Sequence, residues 1–244
     1  MACILALDTS SEGCSAALIK EGHVTSAYEV VPRDHTRKII PMIQQVLKDS
    51  GTRADELDAI AFGRGPGSFT GLRIAAGVTQ GLAYGLGIKV VPVSTLEAMA
   101  LEAFMVGGHQ QVVTAIDARM DEVYWGAFEI ADNKVIAIQP ECVSKPEQVA
   151  LAEGRFDGVG SASVGQFSGV GSGWSFIQRM PETVQNRVAV VDEALMAKAE
   201  YIAKIADSKF SASGGASDDI VSAEFAIPVY LRDTVTWKKL PGRE

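Results

Sequence analysis

Residues 4–30 read ILALDTSSEGCSAALIKEGHVTSAYEV, and this stretch decides the fold class. Residues 3–7 form an apolar run that stops at Asp8, the pattern of a buried strand. Residues 9–13 make a polar turn, 14–20 a second strand, Glu21-Gly22 a tight turn and 23–31 a third strand. The result is a three-stranded meander built on hairpins. The same order returns in VVTAIDARMDEVYWGAFEIADNKVIAI, residues 112–138. There a strand ends in Asp117, a polar turn covers 118–122, a strand runs over 123–130, and a turn at Asp132-Asn133 leads to a strand at 135–138. A duplicated unit is the economical reading; the alternative is two ordinary hairpins that resemble each other by coincidence.

Between the two copies the apolar period changes to that of helices. Asp34 is a good N-cap for a helix over 34–51. Its stripe is Ile39, Met42, Ile43, Val46 and Leu47, widened by Ile40, and Gly51 closes it. A short strand at 57–62, a glycine-rich loop at 63–71, a helix at 72–86, a strand at 89–93 and a helix at 95–106 behind Ser94 follow. Beyond the second meander, residues 156–174 read as Gly- and Ser-rich loops around short strands. A helical stretch over 192–210 carries Leu195, Ala199, Ile202 and Ile205 on one stripe, and 211–216 is a flexible break. The expected domains are 1–105 and 106–244, the second ending in a helix that can pack back on the first.

Composition narrows the function. The 244 residues are 47% hydrophobic and 21% charged, an ordinary globular balance. Lys and Arg number 22 against 30 Asp and Glu, a formal net charge of -8, so nucleic-acid phosphates would be repelled unless a partner supplies positive charge. The first residues have no basic region before the apolar run, which is not a signal-peptide pattern. No stretch approaches the roughly 20 apolar residues of a membrane span. Cys3, Cys14 and Cys142 are too scattered for a disulfide framework or a CxxC zinc site, and a reducing cytoplasm is the expected compartment.

Chemistry-bearing residues are sparse. The loop 63–71, GRGPGSFTG, follows a strand and opens a helix, a place that attracts anions. Asp8, Gly65, Gly67, Ser68 and Thr70 are the candidates there for a nucleotide. The loop has neither the Lys-Ser/Thr of a P-loop nor GxGxxG spacing, and a strained turn is favoured. Asp8 and Asp117 stand at equivalent strand ends, where carboxylates hold metals or polarise water. Both lack acidic company, and pairing of Asp117 with Arg119 across the turn is preferred. His23, His35 and His109 form no helical zinc pair, and His35 reads as an exposed polar residue. Gly171-Ser172-Gly173-Trp174 reads as a loop turn rather than a ligand site. The basic aromatic tail over 237–243 has the composition to touch RNA, although a solvated end is the plainer reading. No catalytic residue, metal or cofactor is assigned.

Gly77, Gly81 and Gly85 recur every fourth residue of a helix at about 1 kcal/mol each relative to Ala. Such a face implies close backbone approach, either by the chain's own sheet or by a partner helix. Ile39, Met42, Ile43 and Val46 of the first helix, with Arg73, Ile74, Gly77, Gly81 and Tyr84 of the second, are the expected paired-helix interface.

Taken in order, residues 4–10 (ILALDTS), 65–74 (GPGSFTGLRI), 116–119 (IDAR), 122–125 (EVYW), 228–232 (PVYLR) and 237–242 (WKKLPG) resemble the TsaB (YeaZ) family over nearly the whole chain. The insert near 160–173 is the least family-like part. The resemblance implies an α/β fold of two ribonuclease-H-like domains in the actin/Hsp70/sugar-kinase (ASKHA) superfamily. It implies a part in making N6-threonylcarbamoyladenosine (t6A) beside the tRNA anticodon. It also implies a non-catalytic role beside a catalytic TsaD-type subunit and a TsaE-type ATPase, with tRNA met only through the complex and homodimers when the partner is absent. The rival functions are a nucleotide-dependent kinase or ATPase of the same superfold and, behind it, a protease acting on the partner.

Overall fold

The computed structural model describes residues 2–151 and 167–232. The 152–166 part of the Gly/Ser-rich insert and the basic tail beyond 232 lie outside the described residues. Strands β1 (Ile4–Asp8), β2 (Gly13–Lys20) and β3 (His23–Val30) form the first meander. Helix α1 (His35–Asp49), β4 (Ala59–Gly65), α2 (Phe69–Leu86), β5 (Lys89–Ser94) and α3 (Thr95–Gly107) follow. The second half comprises β6 (Gln111–Arg119), β7 (Glu122–Ala131), β8 (Lys134–Ser144), β9 (Phe167–Val170), a short α4 (Glu182–Gln185), β10 (Val188–Asp192) and α5 (Ala199–Ser213).

The two sheets have one topology. The first is ordered β3-β2-β1-β4-β5 and the second, read from its other edge, β8-β7-β6-β9-β10. In each an antiparallel meander is extended by two parallel strands. The duplicated unit is therefore real. Asp8 and Asp117 occupy matching places, at the β1–β2 and β6–β7 corners.

Alternation along β1 divides the first core. Cys3, Leu5 and Leu7 face α1, whose Ile39, Met42, Ile43 and Val46 close that side. Ile4 and Ala6 face the opposite way, into a cluster with Ala98 and Leu101 of α3 and Ala203 and Ala206 of α5. The opposite face of α3 packs on the second sheet through Leu96, Met99 and Ala103 against Val112 and Phe128. Helices α3 and α5 thus lie between the domains, and α5, late in the chain, rests on β1 and β2 of the first sheet. Arg64 of β4 reaches Glu141 of β8 at 3.4 Å and adds a polar tie between the halves.

Two local expectations change. The helix expected from Asp192 starts at Ala199, because residues 188–192 pair with β9 and the Asp192 carboxylate accepts the Ala194 N–H in a turn instead. Asp34 makes no side-chain capping bond to α1; its carboxylate lies 3.8 Å from Arg37. Ser94, by contrast, accepts from the N–H groups of Leu96 and Glu97 and caps α3 as expected.

Candidate functional site

A cleft of about 1340 Å³ opens where the β1–β2 turn, the loop before α2, the Asp117 corner and the 193–197 segment meet. The first wall is built by close backbone approach. Ser68 N–H donates to Ser10 O at 2.7 Å and Thr9 Oγ1 donates to Gly71 O at 2.7 Å. A Cβ on Gly71 would stand 1.9 Å from Thr9 O, and one on Gly67 would stand 2.5 Å from Ser10 O. Gly65 adopts φ +107° and precedes a cis peptide to Pro66. The glycines of this loop thus serve local geometry, while Ser68 caps α2 by accepting from Gly71 N–H at 3.3 Å. Thr70 is exposed on the first turn of α2.

Asp8 lies fully buried behind this wall. Its Oδ1 accepts from Ser10 N–H at 3.0 Å and from Ser10 Oγ at 2.9 Å, while Oδ2 has no partner among the described residues. Desolvation lifts the carboxyl to about 7, and the two Ser10 bonds oppose that rise. A Cβ at Gly63 would lie 2.0 Å from Oδ2, so only glycine fits beneath it.

Asp117, its counterpart, is spent differently. It accepts Arg119 N–H at 2.8 Å and pairs with the Arg119 guanidinium at 3.0 Å. Its own N–H donates to Ser172 Oγ at 3.1 Å. Gly171 and Gly173 bring this stretch close to Ala115, and Trp174 is buried beneath; instead of the loop turn expected, Ser172 opens a 3-10 helix that runs to Arg179. Among the described residues no three His, Cys, Asp or Glu gather as metal ligands. His35 is buried rather than exposed, its Nε2 without a partner in the described residues.

The glycine face resolves differently from the α1 stripe. A Cβ at Gly77, Gly81 or Gly85 would meet nothing within 4 Å, so no element of the described chain uses the closeness these residues permit. Contact with the chain's own sheet is thereby excluded as their reason. Arg73, Gly77, Gly81 and Tyr84 share this outward face, and Tyr84 is 83% exposed. Ile74 is half-buried and leans on the α1 cluster. Ile39, Met42, Ile43 and Val46 are a correction: all four are buried against the first sheet and present no surface. Their amphipathic stripe is the ordinary core face of a surface helix.

The other flank of α2 is formed by a segment for which the sequence offers no periodicity. Ala223 and Ala226 pack on Ala75, Ala76 and Ala83. A shallow groove beside Gly77, Gly81 and Tyr84 is bounded by Ala223 and Glu224. Val229 N–H then donates to Arg64 O at 2.8 Å, Tyr230 meets the Phe69 ring at 5.7 Å, and Arg232 crosses to the second domain. Its Nε donates to Glu122 at 2.9 Å and its Nη2 to Ala118 O at 3.1 Å. Phe69, Tyr230 and Arg232 are the residues that sequence reasoning left without a role.

Two domains of matching topology around α3, α5 and a central cleft define a protein of the two-domain ribonuclease-H-like, or ASKHA, class. Residues 23–240 match the family described as "TsaD: tRNA N6-adenosine threonylcarbamoyltransferase". Among curated proteins, the Escherichia coli "tRNA threonylcarbamoyladenosine biosynthesis protein TsaB" is 42% identical over 244 residues, spanning 99% of each chain. The Haemophilus influenzae protein of the same name is 39% identical over 99% of this chain and 98% of its own. The solved structure "YeaZ from Pseudomonas aeruginosa" superposes with a TM-score of 0.84 at 41% identity, covering 95% of this chain and all of that one. The chain belongs to the TsaB (YeaZ) family.

Proposed function

We propose that this chain is a non-catalytic subunit for t6A formation on tRNA, in the cytoplasm, and that it works by docking a TsaD-type catalytic subunit on the outer face of α2. The single observation that carries the docking part is the open glycine face. Three helix-interior glycines cost stability of about 1 kcal/mol each, and nothing in the described chain approaches them. An exposed helix face with close-approach positions and a protruding Tyr84 suits a second helix laid across it. Kinship with proteins named for threonylcarbamoyladenosine biosynthesis supplies the pathway. The TsaE-type ATPase joins the assembled pair, and tRNA is met through the complex, in keeping with a net charge of -8. In the absence of the partner the same face can close a homodimer.

The test is reconstitution of tRNA threonylcarbamoylation with the TsaD-type subunit, the ATPase subunit and the activated donor held constant. Modification that requires this chain, while the chain alone turns over neither donor nor Mg-ATP, is the expected result. Equal modification without it would overturn the assignment.

A further inference from the structure

Arg73 is distinguished from most arginines of the described chain by what it lacks. Arg37, Arg53, Arg64, Arg119, Arg179 and Arg232 each meet a carboxylate. Arg73 meets none among the described residues. Its Nη1 donates to Phe69 O at 3.2 Å, and its guanidinium lies 3.3 Å from the Phe69 ring centroid and 5.1 Å from that of Tyr230. The two rings are themselves exposed, Phe69 by 63% and Tyr230 by 44%. A planar cation is thus held in one place by stacking, with Nε and Nη2 without a partner among the described residues, on an exposed apolar platform whose three residues also line the cleft.

We propose that Phe69, Arg73 and Tyr230 form the charged anchor of the docking face, and that the occupant is a carboxylate side chain of the protein partner. This rests on the α2 docking reading above. Three features favour such an occupant. A stacked guanidinium has already lost much of its rotamer freedom, so a bidentate carboxylate costs little further ordering. The positive end of the α2 dipole adds to the field there. Aromatic and Arg side chains around a desolvated centre are the composition of binding hot spots, whereas a chain this acidic is poorly suited to hold a polyanion such as RNA. The anchor also explains the course of the 223–232 segment. Tyr230 reaches Phe69 because Val229 is bonded to Arg64 O and Arg232 is fastened to Glu122.

The experiment measures Kd of the full chain for the TsaD-type subunit by titration calorimetry at two salt concentrations. The chains are wild type, Arg73→Ala, Arg73→Lys, Phe69→Ala and, as a control on the docking reading, Gly81→Leu. Arg73→Ala is expected to weaken binding by about thirtyfold or more and to flatten its salt dependence. Arg73→Lys should recover part of the affinity, Phe69→Ala should weaken binding, and the unfolding midpoint of Arg73→Ala should match wild type, which separates an anchor from a structural residue. Rescue of Arg73→Glu by an Asp/Glu→Lys change on the partner would identify the carboxylate. If Gly81→Leu abolishes binding while Arg73→Ala leaves Kd unchanged, the anchor is wrong and the docking face stands. If neither matters, both fall. Saturable binding of Mg-ATP or of an RNA oligonucleotide that is lost in Arg73→Ala would also overturn the proposal, because the anchor would then serve a phosphate.

Discussion

Replacing Gly81 by Leu should strengthen the isolated chain and destroy its complex. The position lies inside an 18-residue helix, and a Cβ there meets nothing within 4 Å. No steric term opposes the change in the monomer. Glycine in a helix interior is about 0.8–1 kcal/mol less favourable than Ala, and Leu stands close to Ala, so the gain is about 0.7 kcal/mol. For a chain of this size that raises the unfolding midpoint by about 2 °C. In a complex where a partner helix crosses the glycine face, the Leu side chain occupies the space that the crossing backbone needs. The loss should match a hot-spot change, about 2 kcal/mol or more, or roughly thirtyfold in Kd. Scanning calorimetry of the chain alone and titration against the TsaD-type subunit read the two effects, which have opposite signs. A lower midpoint would mean that Gly81 is packed within the chain. A higher midpoint with unchanged Kd would mean that the partner docks elsewhere.

Three further outcomes follow from the same geometry. Gly71→Ala should destabilise strongly, by about 3 kcal/mol or more, because its Cβ would lie 1.9 Å from Thr9 O, and urea unfolding measures it. Asp8 is raised from 3.8 to about 7 by burial, so the folded state binds the extra proton between those values. Its contribution is therefore fully present below about pH 4 and declines as pH rises toward 7. Asp8→Asn should flatten that part of the pH–stability curve, and an unchanged slope would refute the assignment. Arg232→Ala should cost about 1–2 kcal/mol, since its mostly buried guanidinium holds Glu122 and the carbonyls at the start of a turn in which Arg119, Met120 and Asp121 all have positive φ. A double-mutant cycle with Glu122→Gln should show coupling, and strict additivity would remove Arg232 from that role.

Much of this molecule is determined by its sequence alone. Hairpin turns at Glu21-Gly22 and Asp132-Asn133, the strand run stopped by Asp8, and the cap at Ser94 are local signals, and local signals survive without knowledge of the fold. The repeat of the meander was legible for the same reason. Strand β10 was not, and β9 only as an unplaced short strand within 156–174, because each is only four or five residues long and is held by parallel pairing. Helix periodicity likewise marks Ile39, Met42, Ile43 and Val46 as one apolar face without saying whether a sheet or a partner covers it. Tertiary structure decides that question: the α1 stripe is consumed by the first sheet, while the glycine face of α2 is left open. It alone also brings Tyr230 onto Phe69 and Arg73, across more than 150 residues of chain, and fastens Arg232 to Glu122. Contacts of that span depend on where whole elements pack, and no window of sequence contains them.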